Sequence, residues 1–442
     1  MRTLRLGRFA AVAAFAVVAV ACGGGTGGGG GGNKGTIAIG VDLPESGAAA
    51  SSGLPTLNGV KYAISKAGGS VSGWTLAVEN RDDAVGGSYN ADKGVQNVTD
   101  LINNNTVVAM VGPFNSAVGK AEIPVTNPAH LTMISPSNTN PCLTKDLPTC
   151  SYHPQDLRKA GVPNNYFRVV ATDDLQGPAM ADYAYNTLGI KKIGVLDEKT
   201  VFGIGIADAF QAQFQKDAGA GSFKRDSYDP KTTTDWRSIL NGFKSFGATA
   251  IYVGGTDDQK ACQPRAQMTA LGIGSWPYLG GDGIQTSQCV DDAADSALGV
   301  SATTAGADAG QIPSAASTIS DFKKQFTGAN DYGAYTMSAY DAASIEIAAI
   351  KKALDAGKDP KKLNDFREAV RANVAATNGF KGVLGTTTFD AKGDTSAKII
   401  SVYGVKKEDA SRVSAGDLTC GKAGGPNANL CFDWVKQFNF GA

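Results

Sequence analysis

The chain has 442 residues, enough for two or three domains with cores of their own. Its 41 basic residues balance its 41 acidic residues and form no basic stripe, which argues against a nucleic acid as partner. The two histidines, His130 and His153, do not have the spacing of metal ligands, so neither a zinc site nor a histidine-based catalytic triad is expected. We accordingly predict no metal and no cofactor.

The N-terminus has the pattern of an export signal. Three arginines precede the apolar run Phe9–Ala21, which is too short to cross a bilayer, since a spanning helix takes about 20 residues. Small residues lead to Cys22, and a glycine run follows as a flexible tether. The pattern resembles a bacterial lipoprotein signal, with a signal peptide over residues 1–21, a lipid on Cys22 and a tether over 22–35. The alternative is an ordinary secretory signal with a chance cysteine.

From residue 36 onward, short apolar strands alternate with helices. The first predicted strands are Thr36–Val41, Thr75–Asn80, Val107–Val111 and Leu131–Ile134, and the helices between them are Leu57–Lys66, about Tyr89 to Ile102, and Val118–Asn127. This alternation favours a parallel sheet that helices cover on both faces. The following segment, Asn140–Asn165, is rich in Pro, Asn and charge and is predicted to be a surface excursion.

The same alternation repeats after the extended run Tyr166–Thr172. Predicted strands are Lys192–Leu196, Ser222–Tyr228, Ala250–Val253 and Tyr278–Leu279, with helices Ile204–Ala218 and Trp236–Phe246. Leu298–Thr304 is an extended run that returns to the first unit. It is followed by helices Tyr335–Ala356 and Lys361–Ala375, strands Leu384–Phe389 and Lys398–Val405, and a weakly patterned tail after Lys406.

The predicted fold class is α/β, with two doubly wound lobes and a ligand cleft between them. We predict that residues 36–170 and 305–388 form lobe 1, and that residues 171–304 and 389–442 form lobe 2. Clefts between such units are favoured ligand sites.

Two polar loops follow neighbouring strands of lobe 1. Gly112–Ser116 follows the first strand and Ser135–Thr139 follows the second. Ligands of open α/β sheets bind at the carboxyl ends of the strands. Hydroxyls, an amide and free N–H groups there suit a small anion such as a carboxylate, above all where Ser116 begins a helix. The alternative is that these residues only cap helices and form turns.

An acidic residue of lobe 2, Asp282, follows the short strand at Tyr278–Leu279 and lies between two glycines. It would face the hydroxyl loops of lobe 1. The zwitterion of an α-amino acid needs donors for its carboxylate on one side and an acidic side chain for its ammonium group on the other. The polar loops of lobe 1 and Asp282 would supply these two parts. The alternative is a turn residue between glycines, which is common.

Six cysteines remain after Cys22, and they fall into sequence-local pairs. In an oxidising compartment this spacing suggests disulfides by proximity, although other connectivities stay open. The suggested pairs are Cys142–Cys150, Cys262–Cys289 and Cys420–Cys431.

From about Thr36 to Val405, an ordered set of motifs resembles the type I periplasmic solute-binding proteins of branched-chain amino acid ABC transporters. The motifs are Pro44–Gly47, Asn58-Gly59, Asp82-Asp83, Gly112–Ser116, Met133–Pro136, Tyr166–Arg168, Asp173–Pro178, Phe202-Gly203, Tyr252–Gly255, Gly281–Gly283 and Tyr340–Ala342. The resemblance implies two lobes that are joined by three crossing strands and close over a ligand by a hinge motion.

The resemblance also implies which residues bind the ligand. Ser116, Ser137 and Thr139 fall where the family holds the carboxylate and ammonium groups from the first lobe. Asp282 matches the acidic residue that pairs with the ammonium group, and Phe202 matches an aromatic that covers the ligand.

Three further positions belong to the candidate site. Asn115 precedes Ser116 in the first polar loop. Ser52 and Thr256 stand where the family often has aromatic residues. These two changes remove apolar surface from the predicted binding site, which puts leucine, isoleucine or valine as the ligand in doubt. The alternative is a more polar or larger solute. Relatives of this family also bind amides, urea and aromatic acids.

The resemblance implies a monomeric, lipid-anchored receptor that delivers an amino-acid-like solute to an ABC permease and catalyses no reaction. A sensory binding protein that reports to a signalling receptor is the first alternative. An enzyme is the second, but Gly203–Gly205 is only a fragment of a dinucleotide-binding GxGxxG loop, and no GxSxG nucleophile motif is present.

Overall fold

The computed structural model describes residues 33–441. The predicted signal peptide, the lipidation site Cys22 and most of the predicted tether lie outside these residues. Within them, no helix combines the length and the apolar character that crossing a membrane requires.

The first part of the chain forms the sheet of lobe 1. Its elements are β1 (Thr36–Leu43), α1 (Ala50–Lys66), β2 (Ser70–Val71), β3 (Trp74–Asp82), β4 (Ala84–Val85), β5 (Ser88–Tyr89), α2 (Ala91–Asn103), β6 (Val107–Val111), α3 (Ser116–Thr126), β7 (Thr132–Ser135) and β8 (Tyr166–Arg168). The strand order is β2-β3-β1-β6-β7-β8, and all neighbours except β2 and β3 are parallel. Every residue of β6 and β7 is buried, which explains why these strands lack alternation in the sequence.

The second part builds most of the sheet of lobe 2. Its elements are α4 (Asp173–Asp182), β9 (Ile193–Asp197), α5 (Val201–Ala218), β10 (Phe223–Ser227), α6 (Arg237–Phe246), β11 (Ile251–Gly254), α7 (Gln263–Met268), β12 (Tyr278–Gly280), α8 (Ser287–Asp292) and β13 (Val300–Thr304). The strands are parallel in the order β10-β9-β11-β12-β13.

The last part returns to lobe 1 and then to lobe 2. Its elements are α9 (Ala316–Gln325), α10 (Thr336–Asp355), α11 (Leu363–Ala375), β14 (Phe380–Gly382), β15 (Gly385–Thr387), β16 (Ile399–Lys407), α12 (Ala410–Ser414), β17 (Thr419–Cys420) and β18 (Leu430–Asn439). Helices α10 and α11 bury Ile350 and Phe366 in the same core as Ile39 of β1. Strands β16, β18 and β17 extend the sheet of lobe 2 in antiparallel pairing.

Within residues 33–441 the chain therefore passes between the lobes three times, after β8, after β13 and after β15. This arrangement confirms the predicted fold class of two doubly wound lobes. The exact residue bounds of the lobes stay a prediction.

The weakly patterned tail contains a regular strand, since β18 pairs with β16 along its whole length. The sequence did not predict this strand, because its partner precedes it by a whole loop and helix. The predicted strand Lys398–Val405 corresponds to β16, whereas Leu384–Phe389 is shortened to β15, which pairs with β14 in a separate two-stranded sheet.

Helix α1 begins earlier than predicted, at Ala50 instead of Leu57. Its first turn has no apolar periodicity, but Ser51 Oγ donates to the Ala48 carbonyl (2.9 Å). Gly53 permits the close packing of this turn, because a Cβ there would lie 1.9 Å from the carbonyl oxygen of Pro44. The early start places Ser51 and Ser52 at the mouth of the cleft.

Among the described residues, disulfides join the three pairs suggested by proximity. Cys142–Cys150 closes a turn of the excursion, Cys262–Cys289 lies in the core of lobe 2, and Cys420–Cys431 links β17 to β18. These pairs confirm the disulfide prediction and fit an oxidising compartment.

Candidate functional site

Two small cavities lie between the lobes at the carboxyl ends of the strands. We name them the Asp282 cavity and the Asp258 cavity; each has a volume of about 10 Å³, about the space of one water molecule. The Asp282 cavity is lined by Ser51, Ser52, Thr56, Phe114, Asp282, Gln285, Thr286, Gly333, Ala334 and Tyr335. The Asp258 cavity is lined by Pro44, Ala49, Ser52, Phe114, Asn115, Thr256, Asp258 and Gly283. A solute larger than water can enter only when the lobes separate.

The first polar loop of lobe 1 supplies groups to this site. Asn115 precedes α3 but makes no capping bond, and its buried Oδ1 has no hydrogen-bond partner among the described residues. Ser116 is the first residue of α3, as predicted, and its Oγ accepts from the backbone N–H of Asn140 (3.2 Å). The hydroxyl hydrogen of Ser116 is therefore free to be donated.

The second polar loop is fastened to the first. Ser137 Oγ donates to the carbonyl of Phe114 (2.9 Å), and Ser135 Oγ donates to that of Pro113 (2.7 Å). The Thr139 hydroxyl is buried without a partner of hydrogen-bond geometry in residues 33–441. Ser137 thus holds the two loops together, and Thr139 lies beside Asp173, whose pKa its hydroxyl lowers.

Asp282 is held by neutral donors. Tyr335 donates its hydroxyl to Oδ2 (2.6 Å), and Gln176 Nε2 donates to Oδ1 (2.8 Å). Burial raises the pKa of Asp282 to about 6, although these two hydrogen bonds act against the shift. A cation that replaced the missing counter-charge would lower this pKa again.

A second carboxyl group, Asp173, shares the same amide. Gln176 Nε2 also donates to Asp173 Oδ1 (2.9 Å), and Asp173 is completely buried. Burial raises the pKa of Asp173 well above its usual value, and the charge of Asp282 raises it further. The cleft therefore contains two neighbouring acids that a single glutamine bridges.

Phe202 lies beneath the loop that carries Asp282. A Cβ on Gly283 would lie 3.0 Å from Phe202 Cε1 and 2.5 Å from the Gly255 carbonyl oxygen, so only glycine fits at this position. The aromatic ring thus supports the loop from below and does not line either cavity. The neighbouring Thr256 donates its N–H to Glu198 (2.7 Å).

Further groups join the two lobes directly. Ser51 Oγ donates to Asp257 Oδ2 (3.2 Å), Ser88 Oγ donates to the Asp258 carbonyl (2.8 Å), and Tyr89 N–H donates to Asp258 Oδ2 (3.2 Å). Burial raises the pKa of Asp257 to about 7. These acids follow β11 and face lobe 1 across the cleft.

The structure brings Ser52, Asn115, Thr256 and Asp282 together as cavity-lining residues. The other candidates, Ser116, Ser137, Thr139 and Phe202, lie in the adjoining loops and in the layer beneath. Sequence reasoning did not single out several residues of the site, among them Phe114, Asp173, Gln176, Asp258 and Tyr335. The first four stand in recognised motifs or strand-end loops, whereas no local pattern marks Tyr335.

Comparisons with known proteins agree with this architecture. A family model described as periplasmic binding protein matches residues 36–409. A Leu/Ile/Val-binding protein homologue of Brucella melitensis is 28% identical over 374 residues, which cover 83% of this chain and 90% of that protein.

Solved structures show the same fold. A leucine binding protein from Thermotoga maritima has a TM-score of 0.72 at 23% identity and covers 92% of this chain and 99% of its own. A second similar structure is that of a branched-chain amino acid transporter substrate binding protein from Streptococcus pneumoniae in complex with isoleucine. Its TM-score is 0.68 at 24% identity, and the match covers 84% of this chain and 96% of that protein. The chain therefore belongs to the periplasmic binding protein family, and its two lobes have the type I fold.

Proposed function

We propose that this protein is the solute-binding receptor of an ABC importer and captures a small amino-acid-like solute between its lobes. The observation that carries the proposal is Asp282, a buried carboxyl group that lines a cavity between the lobes and has no cationic side chain beside it among the cavity-lining residues that the structure describes. The relatives named above are binding proteins for leucine, isoleucine and valine, and one solved structure holds isoleucine, which supports an amino-acid-like ligand and a role without catalysis.

Each lobe supplies one part of the recognition. Ser116 and Thr139 of lobe 1 donate hydroxyls to the ligand carboxylate, aided by the N-terminal dipole of α3. Asp282 of lobe 2 accepts from the ligand ammonium group. Because the ligand touches both walls only when the lobes meet, its binding stabilises the closed arrangement.

The site of action follows from the family. Periplasmic binding proteins act outside the cytoplasm. We extend this to a protein tethered to the membrane by a lipid on Cys22, which presents its closed form to a permease. Labelling of the expressed full chain with a radioactive fatty acid, compared with Cys22→Ala, tests the anchor.

Calorimetric titration of residues 33–442, which contain every described element, tests the receptor proposal. The protein is first unfolded and refolded to remove bound solute, and is then titrated with amino acids, amides and small carboxylates. We expect saturable one-to-one binding, weakened about 30-fold or more in Asp282→Asn, since loss of one partner of a buried charge pair costs roughly 2–5 kcal/mol.

A matched control is Glu346→Gln, which neutralises a buried carboxyl of α10 that lines neither cavity. It should bind like the unchanged protein. Equal affinity in Asp282→Asn and in the control would contradict the role of Asp282, and the absence of any saturable heat across the panel would contradict the receptor function.

A further inference from the structure

The two cavities adjoin, because Ser52 and Phe114 line both of them. One is lined by Asp282 and the other by Asp258. None of the described residues that line either cavity is Lys, Arg or His. A ligand that spans both cavities therefore meets a carboxyl group in each and an aromatic ring between them.

An unpaired acceptor lies in the same site. Asn115 Oδ1 has no hydrogen-bond partner within residues 33–441, and Asn115, which lines the Asp258 cavity, is more than nine-tenths buried. Behind the Asp282 cavity, the Gln176 amide nitrogen donates to Asp282, and its buried Oε1 has no partner among the described residues. Buried acceptors are normally paired, so the Asn115 oxygen calls for a ligand that carries an N–H donor.

Neutral groups alone solvate the surrounding carboxylates. Asp257 accepts from Ser51 and Thr286, and Glu198 accepts from the Thr200 hydroxyl (2.6 Å) and from the N–H of Thr256. A neutral amino acid would bring one ammonium group for Asp282 and no cation for Asp258.

The nearest buried guanidinium is already engaged. Arg168 Nε donates to Asp394 Oδ1 (2.7 Å), and its Nη1 donates to the carbonyls of Asn138 (3.1 Å) and Asn140 (2.7 Å). It cannot serve as the counter-ion of the cleft acids without giving up these partners.

We propose that the ligand is a basic amino acid, with its α-ammonium group at Asp282, its side-chain cation at Asp258 and its methylene stem across Phe114. This inference rests on the proposed function, since it assigns the ligand of the same cleft. It adds that the second positive charge is required for tight binding.

Matched ligand pairs test the inference directly. L-lysine is compared with L-norleucine, which has the same carbon chain without the terminal amine, and L-arginine with L-citrulline, its neutral counterpart. Calorimetric titration of residues 33–442 should show that the cationic member of at least one pair binds about tenfold more tightly or better. Asp258→Asn removes the charge but keeps an oxygen that can accept from the Tyr89 N–H, and it should weaken the cationic ligand about tenfold more than its neutral partner.

The outcomes separate the two proposals. If norleucine and citrulline bind as tightly as lysine and arginine, or if Asp258→Asn weakens both members of a pair equally, the basic ligand is excluded while the receptor function stands. If no amino acid or other solute of the wider panel binds, the receptor function itself fails. The comparison of ligands on the unchanged protein decides the matter even if the variant does not fold, which its circular dichroism will show.

Discussion

Two buried carboxylates near the cleft differ in what the protein supplies to them. Asp394, in the crossing after β15, receives the Arg168 guanidinium at 2.7 Å. Burial alone would raise the pKa of Asp394, but Arg168 outweighs it and the pKa lies below its usual value. Asp282 receives a phenol, an amide and backbone N–H groups, all of them neutral, and burial raises its pKa to about 6.

The difference lies in the counter-ion. At Asp394 the chain provides it, and the ion pair, which we name the hinge pair, joins the first and third crossings between the lobes. At Asp282 no cationic side chain lines the cavity in the described part of the chain, and the role we propose for this carboxylate is to bind the ammonium group of the ligand.

The largest expected effect comes from breaking the hinge pair. Arg168→Met leaves Asp394 buried without a cation, and loss of one partner of a buried pair costs roughly 3–5 kcal/mol. We expect the free energy of unfolding in urea to fall by about this amount. The exposed pair of Arg237 and Asp235 offers a control, since Arg237→Gln should change stability little. A loss no larger than that of the control would show that the hinge pair is not structural.

A smaller effect should follow when a donor to Asp282 is removed. Tyr335→Phe keeps the ring that packs on Phe114 but deletes the hydroxyl that donates to Oδ2. A hydrogen bond to a charged group contributes roughly 1.5–3 kcal/mol, so we expect the amino-acid affinity to fall about tenfold or more. Calorimetry measures the change, with Tyr340→Phe of the same helix, which lines neither cavity, as the control. An affinity equal to that of the control would mean that the ligand alone orients Asp282.

The smallest expected effect is a pH dependence of binding. The pKa of Asp282 is raised to about 6, so a proton competes with the ligand ammonium group as the pH falls through this value. The ammonium group favours the ionised carboxylate, and affinity should therefore be lost on acidification, about fourfold between pH 7 and pH 5.5. Titrations at several pH values measure the change, and it should vanish in Asp282→Asn. An affinity that rises on acidification would contradict the assigned charge of Asp282.

Much of the site could be predicted because strand ends are visible in the sequence. The loops after β6, β7 and β12 each follow a short apolar run, and the carboxyl ends of such strands meet at one edge of a sheet. Ser116 at the start of α3 and Asp282 in its glycine loop were found in this way.

Tyr335 could not be found from the sequence. It precedes a helix whose pattern indicates only a buried stripe, and its bond to Asp282 joins two lobes across 53 positions. Gln176 stands in the quoted motif Asp173–Pro178, but its bond to Asp282 was not predicted, because the two residues are 106 positions apart. The Tyr335 pairing depends on the packing of one lobe against the other, and the Gln176 pairing depends on the packing within lobe 2.

The sequence by itself determined the alternation of strands and helices, the two-lobed fold and the pairing of nearby cysteines, because each depends on periodicity or short separation along the chain. Only the tertiary structure decided which carboxylates receive a cation. Arg168 reaches Asp394 across 226 positions, and no cationic side chain lines either cavity at Asp282 or Asp258 in the described part of the chain. Charge compensation in a buried site is a property of three-dimensional neighbours, which the order of residues along the chain does not show.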